Sequence, residues 1–128
     1  MKSILYNVEY LYFDLETARE NLLWLRKKLL QLREIKNQIE MLLITGDKSA
    51  LQSYAIETKR IIDEIISKGI IIRDIDIGLV DFPAIINDKP AFLCWKIDEK
   101  DIMYWHYTDE GFIGRKRITG KENILSLR

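Results

Sequence analysis

The chain has 128 residues, of which 48% are hydrophobic and 31% charged, a balance typical of one folded globular domain and not of a disordered segment. Its 20 basic and 20 acidic side chains cancel, so the overall charge does not favour binding to a nucleic-acid backbone. The single cysteine excludes an internal disulfide and a metal cage made of several thiolates.

The start of the chain alternates in β-favouring residues and predicts a short N-terminal strand over residues 1–13. Asn7 and Glu9 interrupt the continuous apolar stretch that a signal peptide needs. No apolar run reaches the roughly 20 residues required to cross a bilayer. We therefore expect a cytoplasmic protein without a membrane partner.

Asp14 is predicted to cap a long amphipathic helix, with Glu16 in the first turn, where the helix dipole favours negative charge. Apolar side chains recur after it at spacings of three and four: Leu15, Ala18, Leu22, Leu25, Leu29, Leu32, Ile35, Ile39 and Leu42. This spacing predicts a single helix that ends near Ile44. Gly46 suits the left-handed residue that closes it.

A second helix is expected to begin at a cap formed by Asp47 or Ser49 and to end before Gly69. The short connection makes the two helices antiparallel neighbours, so residues 14–69 predict a helical hairpin with coiled-coil-like packing. Several apolar residues lie outside the seam between the helices: Leu23, Trp24, Leu30, Leu43, Ile61 and Ile66. This surplus must face the sheet or a second subunit, and we expect a homodimer through the hairpin.

Residues 70–118 predict an antiparallel sheet, because alternating segments are separated by short turns. Asp81-Phe82-Pro83 is read as an interruption, and residues 119–128 as a tail. The expected strands are Ile70–Ile72, Ile75–Val80, Ala84–Ile86, Ala91–Ile97, Asp101–Tyr107 and Phe112–Ile118. The fold class is therefore α+β: one domain with a long antiparallel helical hairpin packed on a small antiparallel sheet.

Five segments in this order resemble a family of small prokaryotic proteins catalogued as domain of unknown function 2203. They are Tyr12–Ala18, Gly78–Ala84, Leu93–Lys96, Trp105–His106 and Gly111–Arg115. The resemblance extends from about Tyr12 to Arg117 and implies a shared fold. It implies no activity, substrate or cofactor. Many members carry an acidic residue after the histidine, where this chain has Tyr107.

Rare residue types concentrate between Gly78 and Arg115, and this concentration predicts a site there. The candidates for one pocket are Asp81, Trp95, Trp105, His106, Asp109, Glu110 and Arg115. His106 with Asp81 could perform acid–base chemistry, since imidazole titrates near neutral pH and a paired acid fixes its tautomer. The planar fork of Arg115 suits a carboxylate or phosphate ligand.

The tryptophans would wall this pocket, and strand parity predicts that His106 and Trp105 point to opposite faces of their strand. A metal site made of His106 with Asp81, Asp109 or Glu110 is an alternative hypothesis. Cys94 reads either as a small buried residue or as a nucleophile with His106 as its base.

The competing interpretation gives these residues structural roles, with Asp81 capping a turn before Pro83. His106 and Arg115 would pair with the Asp109–Glu110 turn, and the tryptophans would fill the interface between sheet and helices. The sequence contains no phosphate-binding loop, dinucleotide fingerprint, zinc-protease motif or serine nucleophile elbow. We therefore expect a non-catalytic interaction or ligand-binding module. The alternative is a hydrolytic enzyme that uses His106 with a carboxylate, with or without the assistance of a metal. The sequence names no cofactor.

Overall fold

A computed structural model describes residues 11–126, so residues 1–10 of the predicted N-terminal strand lie outside the described residues. Leu11, Tyr12 and Phe13 belong to no strand. Phe13 nevertheless donates its backbone N–H to the carbonyl oxygen of Pro83 at 2.7 Å. Its ring packs edge-on against Phe82, with 5.2 Å between the ring centres. This contact attaches the start of the described chain to the sheet.

The predicted long helix is divided into α1 (Leu15–Arg19) and α2 (Leu22–Thr45). The Asn21 side chain donates to the carbonyl oxygen of Thr17 at 2.9 Å, and the Asn21 backbone N–H bonds to Ala18 instead. A continuous α-helix would have bonded the N–H of Asn21 to Thr17. The prediction of one uninterrupted helix was therefore wrong, because a side chain competes for a helix carbonyl.

Asp14 caps α1 as predicted, with Glu16 in the first turn, and its side-chain partner is Thr17. The Asp14 carboxylate accepts the Thr17 N–H at 2.8 Å, and the Thr17 hydroxyl accepts the Asp14 N–H at 2.9 Å. This reciprocal arrangement satisfies two backbone donors at the helix start. It fixes the direction in which the chain enters the helical layer.

The helical hairpin is confirmed, with α3 (Leu51–Ser67) following a short connection after α2. Gly46 closes α2 at a φ of 81°, a left-handed conformation that glycine adopts without strain. Lys28 near the start of α2 and Glu64 near the end of α3 form an ion pair of 3.1 Å, which is consistent with antiparallel packing. Neither Asp47 nor Ser49 caps α3, whose N-cap is Ala50.

The described residues form a five-stranded antiparallel sheet with strand order β1-β2-β3-β4-β5, which covers the helical hairpin on one side. The α+β class and the antiparallel sheet are thus confirmed. The strands are β1 (Ile71–Asp74), β2 (Leu79–Ile86), β3 (Lys89–Lys96), β4 (Tyr104–Tyr107) and β5 (Lys116–Arg117).

Strand β2 continues through Pro83, so the predicted interruption at Asp81-Phe82-Pro83 was wrong. Pro83 lies opposite Phe92 of β3, while the pairing of β1 with β2 extends only as far as Asp81. Within residues 11–126, no partner strand on the β1 side therefore requires the N–H that proline lacks. Asn87 and Asp88 form the following two-residue turn with φ values of 56° and 64°, as a tight hairpin requires.

The last predicted strand is mostly absent, because Phe112–Gly114 forms a 3₁₀ turn and only Lys116–Arg117 pairs with β4. The predicted tail also departs from expectation. Ile124 bridges to Ile86, and the N–H of Leu125 donates to the Ile85 carbonyl oxygen at 2.9 Å. The described part of the tail therefore extends the contacts of the β2–β3 hairpin.

The main core lies between the sheet and the hairpin. On the helices it comprises Ala18, Leu25, Leu29, Leu32, Ile35, Ile61 and Ile65; on the strands it comprises Val80, Phe82, Ala84, Ile86, Ala91, Leu93, Trp95 and Trp105. No helix among residues 11–126 is long and apolar enough to cross a membrane.

Candidate functional site

Among residues 11–126, three polar side chains are buried on the face of the sheet that points away from the helices. They are Asp81 of β2, Cys94 of β3 and His106 of β4, with exposed fractions of 2%, 1% and 4%. Asp81 lies opposite Cys94, and Cys94 lies opposite Tyr104, two residues before His106. Because side chains alternate along a strand, this register directs all three to the same face.

His106 forms a buried ion pair with Asp81. Its Nδ1 donates to the carbonyl oxygen of Tyr107 at 2.9 Å, and its Nε2 lies 3.2 Å from Oδ1 of Asp81. Both ring nitrogens therefore act as donors, which describes the imidazolium form. The hydrogen bond to Asp81, followed by one with Cys94, raises the pKa of His106 to about 10.

Arg73 of β1 completes the pairing of Asp81. Its Nε donates to Oδ2 of that carboxylate at 2.8 Å, and its guanidinium lies over the ring of Phe92 at 5.1 Å. Burial alone would raise the pKa of Asp81, but hydrogen bonds from His106 and Arg73 outweigh it and lower that pKa below its ordinary value. The carboxylate is thus held ionised between two cations.

A pocket of about 380 Å³ opens above this ion pair. It is lined by Arg73, Leu79, Asp81, Cys94, His106, Thr108, Glu110, Gly111 and Phe112. Phe112, the first residue of the predicted strand Phe112–Ile118, therefore lines the pocket together with Gly111. A strand at residues 112–114 would have extended β5 instead of lining this cavity.

Glu110 anchors the segment that contributes Gly111 and Phe112 to the pocket lining. Its carboxylate accepts the Tyr107 N–H at 2.9 Å and the Lys116 ammonium at 2.5 Å; the bond from Lys116 is the main reason why the pKa of Glu110 is lowered. Gly114 packs so closely that a Cβ there would lie 2.7 Å from the Cβ of Glu110. Close packing therefore explains the glycine at position 114, and a nucleotide-binding loop is not needed to account for it.

Trp95 and Trp105 do not wall the pocket, contrary to the sequence-based hypothesis. Both lie in the core, with exposed fractions of 0% and 4%, on the face opposite His106. The Trp95 indole donates to the carbonyl oxygen of Glu99 at 2.9 Å. The predicted divergence of Trp105 and His106 is confirmed.

Arg115 and Asp109 are also absent from the pocket lining. Arg115 forms a two-pronged ion pair with Glu99, at 2.8 and 3.0 Å, and stacks on Tyr104 at 4.0 Å. Asp109 is exposed and lines a smaller cavity with Lys89 and Pro90. Of the predicted acidic residues, the structure brings only Asp81 and Glu110 to the pocket that contains His106.

Sequence reasoning missed Arg73 entirely and assigned Cys94 no place beside Asp81. The alternation of side chains along each strand could be predicted from the sequence, but in general the residues that lie opposite each other on neighbouring strands could not. For β2 and β3 the Asn87-Asp88 turn was a signal, since a two-residue hairpin fixes the register of these two strands. Counting back from that turn places Asp81 opposite Cys94.

Among the described residues, one group has the composition of a metal site. One ligand atom each of Asp81, Cys94 and His106 lies within 4.8 Å of the others, and all three residues are buried. Asp109, a ligand candidate from the sequence, does not belong to this group.

These features define a class of small α+β protein, with helices on one face of an antiparallel sheet and a charged pocket on the other. The chain belongs to the family described as uncharacterized conserved protein (DUF2203), whose sequence model matches residues 11–118. This match confirms the resemblance noted in the sequence. No curated protein and no solved structure matches the chain.

Proposed function

We propose that this protein is a non-catalytic binding module for a small molecule that carries an anionic group. The site is the pocket above Asp81 and His106. The observation that carries the proposal is the buried Asp81–His106 ion pair at the base of an open cavity of about 380 Å³. Charges that are held in place before a ligand arrives reduce the free energy needed to order the site.

The charge of the pocket favours an anion. Asp81 contributes one negative charge, whereas His106 and Arg73 contribute two positive charges, and Glu110 is neutralised by Lys116. Within residues 11–126, the only hydrogen bond of the Arg73 guanidinium is the one from Nε to Asp81. Its two terminal nitrogens are therefore available to a carboxylate or phosphate, for which the planar fork is suited.

The positions of the ring nitrogens argue against His106 as a general base. A base needs a free lone pair within reach of the substrate. Both nitrogens of His106 face acceptors, namely the Tyr107 carbonyl oxygen and the Asp81 carboxylate. This supports binding over metal-free acid–base catalysis.

Small anions are expected to stabilise the protein through Arg73. The probes are inorganic phosphate, acetate, malonate and citrate, each tested by thermal unfolding of the wild type and of Arg73→Gln. At a hundredfold excess over Kd, binding adds about 2.7 kcal/mol, which raises the Tm by several degrees for a domain of this size. We expect Arg73→Gln to lose most of that increase.

Arg117→Gln is the matched control, since Arg117 is exposed on β5 and does not line the pocket. It should respond to each anion as the wild type does. An anion-induced shift of equal size in Arg73→Gln, or no shift with any probe in the wild type, would contradict the proposed function.

A hydrolytic enzyme is the second candidate, and the Asp81, Cys94 and His106 group is the observation that favours it. Three protein ligands with an open fourth position are the arrangement in which zinc activates a water molecule. A hydrolytic reaction would then depend on metal and not on a free imidazole.

We also propose that two copies associate through the helical hairpin. Leu23, Leu30 and Ile44 recur at multiples of seven along one stripe of α2, and Leu23 and Ile44 are 83% and 79% exposed. Leu30→Glu is expected to convert a dimer into a monomer in sedimentation analysis, because a charge would replace apolar contact. Gln31→Glu, at the adjacent exposed position, should leave the mass unchanged; a wild type that is monomeric at micromolar concentration would refute the dimer.

A further inference from the structure

We propose that Asp81, Cys94 and His106 bind one divalent transition-metal ion, with zinc as the ion that fits best. The site would supply one carboxylate oxygen, one thiolate and one imidazole nitrogen. Its fourth coordination position would open into the pocket. This inference goes beyond anion binding and does not depend on it.

The distances suit zinc coordination. The three ligand atoms lie within 4.8 Å of one another, and Nε2 of His106 lies 3.2 Å from Oδ1 of Asp81. Two light-atom ligands about 2.0 Å from a tetrahedral zinc ion are separated by about 3.3 Å. The histidine and the aspartate are therefore already spaced as zinc ligands, and the thiol, within 4.8 Å of both, would move closer when the ion binds.

The surroundings orient two of the three ligand atoms. The Tyr107 carbonyl oxygen accepts from Nδ1 of His106, so that Nε2 is the nitrogen directed at Asp81. Arg73 holds Oδ2 of Asp81 and leaves Oδ1 on the side of the histidine. A carbonyl behind a ligating histidine and a hydrogen bond to the free carboxylate oxygen are the outer-shell contacts that metal sites require.

Metal binding would leave the charge of the site unchanged. The ion displaces one proton from Nε2 of the His106 imidazolium and one from the Cys94 thiol, and both protons pass to solvent. A charge of +2 therefore replaces two charges of +1, and no electron is transferred. The positive charge of Arg73 is consequently no greater obstacle to the metal ion than it is to the two protons.

The donor set selects the type of ion. Magnesium and calcium bind oxygen ligands almost exclusively, so a thiolate and an imidazole disfavour them. Zinc accepts nitrogen, sulfur and oxygen in one tetrahedral site. Thr108 and Glu110 also line the pocket, whose volume of about 380 Å³ leaves room for a water molecule or a small anion at the fourth position.

Cobalt(II) and zinc titrations of the purified full chain, stripped with chelator, test the proposal. Cobalt should bind at one equivalent and give the near-ultraviolet charge-transfer band that only a cobalt–thiolate bond produces. Zinc should displace it, and native mass spectrometry should show one zinc ion per chain. We expect Cys94→Ser to lose the band and to bind zinc at least about 100-fold more weakly.

Asp109→Asn is the matched control, because Asp109 is an acid of the same loop region that lies outside the ligand group; it should bind both metals as the wild type does. Asp81→Asn should weaken zinc binding while keeping the band. Unfolding in chelator verifies that each variant is folded, and Cys94→Ser preserves the size of the side chain.

A wild type that takes up no zinc at micromolar concentration, or a Cys94→Ser variant that binds zinc equally well, would overturn the proposal. Arg73→Gln separates the two hypotheses. Zinc binding at one equivalent in that variant, weakened by no more than about 100-fold because Arg73 also holds Oδ2 of Asp81, together with loss of the anion response, would support both. A zinc site without any anion response in the wild type would refute the anion module alone.

Discussion

Replacing Asp81 by alanine is expected to lower the free energy of unfolding by about 3–5 kcal/mol, because it leaves a buried cation without its partner. His106 is 4% exposed and is held 3.2 Å from the carboxylate. Arg73 is exposed, and its side chain can turn to solvent. The loss of unfolding free energy therefore comes mainly from the unpaired charge of His106. Urea denaturation in the presence of chelator measures the change without interference from metal.

The double variant Asp81→Ala/His106→Ala provides the internal control. Its loss should be smaller than the sum of the two single losses, because removing both partners leaves no isolated charge. Asp109→Ala, an exposed acid, should change stability by less than about 0.5 kcal/mol. If the losses at Asp81 and His106 simply add, the ion pair is not the source of the stabilisation.

Replacing Trp95 by alanine is expected to destabilise the protein by about 3–5 kcal/mol through the cavity it leaves. The indole is 0% exposed, donates to the Glu99 carbonyl oxygen at 2.9 Å and lies beneath the Arg26 guanidinium at 5.1 Å. Trp24 is only partly buried, so Trp24→Ala should destabilise less in the same denaturation experiment.

Trp95→Phe distinguishes a core residue from a ligand-binding one. The variant keeps an aromatic ring in the core and should remain folded, with zinc and anion binding unchanged, because its side chain lies on the face opposite His106. A folded Trp95→Phe protein that binds either ligand much more weakly would show that the Trp95 indole contributes to the binding site.

Much of the fold could be predicted because its signals are local. Leu25, Leu29 and Leu32 repeat with helical spacing, and the structure buries all three. Gly46 follows the last turn of α2 in the expected left-handed conformation. Period and cap residues depend on neighbours within one turn, which a sequence displays directly.

The errors arose where one contact overrides a local preference. Leucine spacing continues through Glu20 and Asn21, so periodicity gave no sign that the Asn21 side chain interrupts the helix. Phe112 and Ile113 favour strands, yet they lie in a 3₁₀ turn, from which Phe112 lines the pocket. Tertiary contacts decide such short segments, and propensity alone does not.

The candidate site was predicted in part. Asp81, His106 and Glu110 were identified because their residue types are unusual in that segment, and all three line one pocket. Arg73 was not identified, because its role depends on the pairing of β1 with β2, which includes an irregularity between Ile72 and Asp74. A register irregularity of this kind changes which side chains contact each other, and no residue pattern in the sequence indicates where it occurs.

The burial pattern of the hairpin implies two levels of stability within one molecule. All buried helix residues of the hairpin lie near its base, and no side chain in the described range 36–60 is buried. The outer turns can therefore fray and re-form at a small fraction of the global unfolding free energy. The pocket lies across the sheet from these turns, so such opening leaves Asp81, Cys94 and His106 in place. Amide exchange in the hairpin should consequently be fastest around Gly46 and slowest around Leu29.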